Sequence, residues 1–113
     1  MVVDMEGTGL SETQMLFRLK RAEEFARQWR SNAKRLQILA ANPRTPETVR
    51  ADALSEALTA AGIVGKRAEE LAALARQRGY SAWEADPRVG PIVVEIRAVE
   101  NALTFAAEAL SKH

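Results

Sequence analysis

Apolar side chains recur every three or four residues over a long stretch near the start of the chain. Alternating steps of three and four place side chains on one face of an α-helix, the seam along which two helices pack. The positions that share this spacing are Met15, Leu19, Ala22, Ala26, Trp29, Ala33, Leu36 and Ala40. Ser11 and Gln14 form a capping-box pattern before the stretch, and Asn42 with Pro43 provides a stop after it. The pattern predicts one long helix over residues 11–41.

A second regular stripe lies near the end of the chain, after Pro91. It consists of Ile92, Ile96, Val99, Leu103, Ala106 and Leu110. This spacing predicts a last helix that packs on the first, so that two long amphipathic helices form the spine of the fold. Val94, Ala98 and Phe105 lie away from the stripe and give the helix a second apolar face. That face is either buried deeply or is an interface with a partner or another copy of the chain.

Two shorter helices are expected between these long ones. Thr45 and Pro46 are typical of a helix start, and Gly62 of a helix end. After only Ile63, Val64 and Gly65, a third helix would follow and end at Gly79, which makes the middle of the chain a short helical hairpin. The predicted fold is therefore all-α, a helical bundle that forms a single domain over residues 11–113. Residues 1–10 contain two glycines and no helical period, which favours a flexible N-terminal arm.

The composition narrows the possible chemistry. The chain has no cysteine, and its one histidine is the final residue, His113, so disulfides and cysteine nucleophiles are excluded and a reducing cytoplasm is expected. No apolar run approaches the roughly 20 residues that span a membrane. The paired acids Glu23-Glu24 and Glu69-Glu70 point in different directions around a helix, and Glu23 with Arg27 and Glu70 with Arg76 suit local ion pairs. We expect no enzyme activity, no metal, no other cofactor and no membrane contact.

Basic residues are concentrated in the first helix. The segment 18–35 has seven basic and two acidic residues, a local charge of +5 in a chain whose net charge is +1. Lys20, Arg27, Arg30 and Lys34 fall on one flank of the helix beside its apolar seam, an arrangement able to follow a phosphate backbone. The alternative is a solvated helix face. The glutamates of the last helix, Glu95, Glu100 and Glu108, are competing partners for these cations.

The segment 62–68, Gly-Ile-Val-Gly-Lys-Arg-Ala, resembles a helix-hairpin-helix, a motif whose loop amides hold a nucleic-acid phosphate. Gly62, Ile63, Ala68 and Leu71 match its pattern, whereas Val64 departs from it because the second glycine comes one residue later. The resemblance implies a phosphate-binding loop at Gly62 and Gly65, and the Lys66-Arg67 pair would add cations beside free helix amides. A plain glycine-punctuated turn is the alternative.

In size, helical make-up, alanine content and lack of catalytic groups, the chain resembles the small subunit of multi-subunit CRISPR effector complexes. This resemblance implies a non-catalytic subunit that touches the backbone of RNA or single-stranded DNA without reading sequence. It also implies contacts with other copies and with larger subunits. A phage small terminase subunit, with a DNA-reading helix pair around Gly62, is a second hypothesis. A coiled-coil protein-protein adaptor whose basic flank is merely solvated is a third.

Overall fold

The all-α prediction is confirmed in the computed structural model, which describes residues 11–112. In this range the chain forms three α-helices and one short 3₁₀ helix, and no strand. The elements are α1 (Glu12–Ala41), α2 (Glu47–Gln77), the 3₁₀ helix (Trp83–Ala85) and α3 (Val89–Ser111). The predicted flexible arm, residues 1–10, lies outside the described residues, as does His113.

The start of α1 is fixed by the capping box that the sequence predicts. The backbone N–H of Gln14 donates to Ser11 Oγ at 3.1 Å, and the backbone N–H of Ser11 donates to Gln14 Oε1 at 3.0 Å. Together these bonds satisfy amides that have no partner inside the helix. The helix ends at Ala41, where the N–H of Asn42 still reaches Ile38 O at 3.2 Å. Both predicted ends of the first helix are therefore confirmed.

Helix α3 is the centre of the bundle, packing along both α1 and α2, whereas α1 and α2 contact one another much less. Its entire predicted stripe, from Ile92 to Leu110, is buried, and Val93 and Ala107 add a second buried edge. The predicted seam of α1 is buried too, apart from Trp29 and Ala40, which are half-buried. Small alanines along α1 allow a neighbouring helix to approach closely. The result is an elongated three-helix body of 62 × 22 × 18 Å.

The predicted hairpin in the middle of the chain is wrong, because α2 runs without a break through Gly62 and Gly65. Two glycines cost a helix about 1 kcal/mol each relative to alanine, but packing outweighs this propensity. The apolar period continues through them as Ala57, Ala60, Val64, Ala68 and Leu71, all buried against the core. Ending the helix at Gly62 would break this row. The predicted end at Gly79 is confirmed, since α2 closes two residues before it and Gly79 adopts φ +99°.

Replacing Gly62 with alanine is expected to raise the free energy of unfolding by about 0.5–1 kcal/mol. Gly62 lies on the exposed side of α2 and an added Cβ would meet no atom within 4 Å. Alanine therefore gains helix propensity without a clash. Urea denaturation of the two proteins measures the difference.

The matched control is Gly79→Ala, the same substitution at a positive φ. It is expected to lower the free energy of unfolding by about 1–2 kcal/mol, because a side chain is strained in that backbone conformation. If Gly62→Ala were less stable than the parent, this would contradict a continuous α2 and support the turn predicted at Gly62.

The connection between α2 and α3 is held by one buried ion pair that the sequence did not suggest. Asp86 is fully buried, and its carboxylate accepts a hydrogen bond from Arg78 Nε at 2.8 Å. The backbone amides of Arg88 and Val89, at the start of α3, donate to Asp86 Oδ1 at 2.9 and 3.2 Å. Asp86 therefore joins the end of α2 to the beginning of α3.

Candidate nucleic-acid interface

Three of the predicted nucleic-acid-binding cations form a regular row along α1. Lys20, Arg27 and Lys34 are exposed and seven residues apart. Seven residues are nearly two helical turns, so the three side chains leave the same face at intervals of about 10.5 Å along the axis. Within residues 11–112 none of them has an ion-pair partner, and the predicted Glu23–Arg27 pair does not form. We call Lys20, Arg27 and Lys34 the basic row.

The fourth predicted cation, Arg30, is engaged differently. Its guanidinium pairs with Glu95 of α3, one of the carboxylates that the sequence marked as a competitor. Arg35 is likewise paired, with Glu56 of α2. Both pairs are at the surface, where ion pairs stabilise little and exchange readily with other partners. The structure thus divides the basic flank of α1 into paired arginines and the unpaired basic row.

The proposed phosphate loop at Gly62 and Gly65 does not exist in this fold. A helix leaves amides free for an anion only in its first turn, and both glycines lie well inside α2. Gly65 is buried facing α3, and an added Cβ would lie 2.5 Å from Oε2, at the end of the flexible Glu100 side chain. The missing side chain leaves room there for the Glu100 carboxylate. The predicted helix-hairpin-helix is therefore wrong, because the segment 62–68 is part of one continuous helix that contains two glycines.

Lys66 and Arg67 were predicted to add cations beside the phosphate loop, and they too lie inside α2. Lys66 is exposed on α2. Arg67 lies over the ring of Phe25 of α1, with its Cζ 4.5 Å from the ring centroid, and its Nε is 3.3 Å from Glu70 Oε1. Glu70 therefore pairs with Arg67, in place of the predicted Arg76. The Lys66-Arg67 pair does not form a corner beside a phosphate loop.

The predicted cations lie on different surfaces of the molecule. Lys20 borders a groove that it shares with Arg88 and Ile92 at the α3 side of α1. Lys34 borders the same side further along, with Ala98 and Ala102 of α3. Arg67 instead faces α1 from α2. Lys20 and Lys34 therefore border α3 at two points along α1, and Arg67 lies outside the basic row.

A second basic site was missed by sequence reasoning. Arg18 and Arg21 of α1 meet Arg67 of α2 around a cleft of about 330 Å³. The spacing of Arg18 and Arg21 after Phe17 is visible in the sequence, but it is an ordinary feature of a charged helix. Only the antiparallel packing of α1 on α2 shows that Arg67, 46 residues further along the chain, completes the group.

The predicted partner interface lies at the surface. Val94 and Phe105 are 58% and 67% exposed, and Ala98 between them is exposed as well. Among residues 11–112, this face is therefore not buried deeply, the first of the two alternatives that the sequence left open. A contact with another chain at this face stays a prediction.

The carboxyl group of Asp86 has a shifted pKa, and it belongs to the junction between α2 and α3, outside the basic row. Burial by itself would raise the pKa of Asp86, but the Arg78 guanidinium and two backbone amides outweigh it and hold the pKa below its ordinary value. The carboxylate in turn raises the pKa of Arg78. Both shifts have the signature of a structural ion pair. Across residues 11–112, no three carboxylates or histidines cluster closely enough to hold a metal ion, and no helix is long and apolar enough to cross a membrane.

Comparisons with protein-family models, curated protein sequences and solved structures found no match to the chain.

Proposed function

We propose that this chain is a non-catalytic subunit of a nucleoprotein assembly that holds the backbone of RNA or single-stranded DNA. The observation that carries the proposal is the basic row, three exposed cations on one face without an acidic partner in the described part of the chain. Neighbouring arginines of the same helix do have such partners. A surface that leaves its cations unpaired is complementary to a polyanion.

The geometry of the row favours contacts that ignore base identity. Long, exposed lysine and arginine side chains at intervals of about 10.5 Å can each reach a phosphate of a strand lying along the helix. Phosphate contacts position a strand but carry no sequence information. With a net charge of only +1 for the chain, attraction to nucleic acid depends on this local concentration of charge.

The assembly that we propose is an effector complex of the CRISPR type, on the strength of the resemblance in size and helical make-up. In such an assembly several copies and larger subunits would sit beside the guide RNA and the displaced DNA strand in the cytoplasm. The exposed face of α3 at Val94, Ala98 and Phe105 is the surface that we assign to these protein contacts. The terminase hypothesis required a pair of helices around Gly62, and α2 is continuous there, so we do not retain it.

Removing the three charges of the basic row should weaken binding to a single strand about 100-fold near 0.1 M salt. The variant combines Lys20→Gln, Arg27→Gln and Lys34→Gln. Loss of three phosphate contacts also makes the dependence of log affinity on log salt shallower by about 2, because fewer counterions are released. Fluorescence anisotropy with a labelled oligonucleotide across a salt series measures both quantities. Randomising the oligonucleotide sequence should leave the affinity of the parent nearly unchanged.

The matched control removes the same charge from the ends of the bundle, with Arg44→Gln, Arg76→Gln and Lys112→Gln. These three residues are exposed and have no ion-pair partner within the described range. Equal losses in the two variants would show that net charge alone attracts the strand, and the row would not be a site. A parent protein that binds no strand even at low salt would favour the protein-protein adaptor.

A further inference from the structure

The cleft between α1 and α2 combines positive charge with an accessible aromatic ring. Its volume is about 330 Å³, near the lower end of the range for small-ligand pockets. Buried Ala22 and Leu71 belong to its floor, and charged side chains stand around its rim. A space of this size accommodates one nucleotide-sized group.

Phe17 is the aromatic side chain of the cleft, and it is 61% exposed. It lies outside the buried seam of α1, so packing of the core does not require an aromatic residue there. The guanidinium of Arg21 lies over its ring, with Cζ 5.7 Å from the centroid. This contact covers part of the ring, and the large exposed area shows that another part remains open to a flat partner. Aromatic rings beside cations are the usual platform for unpaired bases.

The charge of the cleft is positive. Arg18, Arg21 and Arg67 line it together with a single carboxylate, that of Glu70. Glu70 pairs with Arg67, whereas Arg18 and Arg21 have no acidic partner among residues 11–112. Guanidinium groups form bidentate hydrogen bonds with phosphate oxygens, so the guanidinium groups of Arg18 and Arg21 suit a phosphodiester. Arg67 is fixed in place between Phe25 and Glu70.

We propose that this cleft binds one unpaired nucleotide of a single strand, with the base stacked on Phe17 and the phosphate held by Arg18 and Arg21. The proposal rests on the proposed function and narrows its substrate to single-stranded nucleic acid. A base inside a duplex has both faces covered by its neighbours, whereas an unpaired base offers a face to the ring. Lys20 and Lys34 border α3, whereas the cleft with Phe17 faces α2, so backbone contact and base stacking can be removed by separate substitutions.

The test compares an ordinary single-stranded oligonucleotide with a strand of equal length made of abasic sugar-phosphate units. Phe17→Ala in the full chain should weaken binding of the ordinary strand about tenfold, since one stacked base is lost. It should leave binding of the abasic strand unchanged, because the phosphates remain. The control is Leu58→Ala, which removes a similarly exposed large apolar side chain from α2 and should change neither affinity. Anisotropy at low salt measures the affinity of the parent and of both variants for each of the two strands.

Three results would overturn the stacking site. Phe17→Ala could bind the ordinary strand as tightly as the parent, it could weaken binding of both strands alike, or Leu58→Ala could produce the same loss. In each case the salt-dependent binding of the parent, and its loss in the basic-row variant, would still stand as support for the proposed function. A parent that binds neither strand would overturn the function and the stacking site together.

Discussion

Replacing the buried Leu103 with aspartate is expected to abolish folding of the bundle. Leu103 is 0% exposed and lies on α3, the helix that packs against both others. Aspartate would place a carboxylate in the apolar core without a partner, at a cost on the order of several kcal/mol, and would also leave a cavity. The free energy of unfolding of a small domain is only about 5–15 kcal/mol, so this cost is comparable with the total stability of the protein. Circular dichroism should show loss of most helix signal.

The control for Leu103→Asp is Asn101→Asp, which introduces the same charge two residues earlier on the exposed side of α3. It should change the free energy of unfolding by no more than about 0.5 kcal/mol, as surface substitutions usually do. If Leu103→Asp folds with the stability of Asn101→Asp, Leu103 is not in the core and the packing of α3 is wrong.

The seams of α1 and α3 could be predicted because their signals are local. A helix period of 3.6 residues decides which side chains share a face, and any folded arrangement must bury the apolar one. Ile96 and Leu103 are therefore buried whichever helix covers them. The capping box at Ser11 is local in the same sense, because both of its partners lie within one helical turn.

The helix end predicted at Gly62 is wrong because glycine alone terminates a helix only weakly, whereas the apolar periodicity continues through Gly62 and Gly65. Glycine is favourable just after a helix end, but two glycines inside a helix cost only about 2 kcal/mol. The buried row through Val64 and Ala68 supplies more than that by removing apolar surface from water. The unbroken spacing of that row was present in the sequence and would have predicted one helix.

The candidate sites depend on distances that the sequence does not contain. Whether Arg30 meets Glu95 or a phosphate follows from the offset between two parallel helices, α1 and α3. Arg67 reaches the cleft because α2 runs antiparallel to α1 and places it beside Phe25. The sequence shows that basic residues are concentrated in α1, and tertiary packing determines which of these cations have an acidic partner among the described residues.

Replacing Asp86 with alanine is expected to lower the free energy of unfolding by about 3–5 kcal/mol, the usual cost of breaking a buried ion pair. The substitution leaves the Arg78 side chain, only 18% exposed, without its partner. It also removes the acceptor of the Arg88 and Val89 amides at the start of α3. Urea denaturation measures the loss. Asp52→Ala, the same substitution at an exposed position of α2, is the control and should change stability by about 0.5 kcal/mol or less.

The effect of pH separates the charge of Asp86 from its hydrogen bonds. Asp86→Asn keeps an acceptor oxygen for the amides and removes the negative charge. Because the pKa of Asp86 is lower in the folded protein than in the unfolded one, its charge stabilises the fold above the unfolded value of about 3.9. That stabilisation is lost as the pH falls through the lower folded pKa. The stability difference between the parent and Asp86→Asn should therefore be largest near neutral pH and shrink below about pH 4. A difference that stays constant from neutral pH into acid would show that the Asp86 charge does not stabilise the junction between α2 and α3.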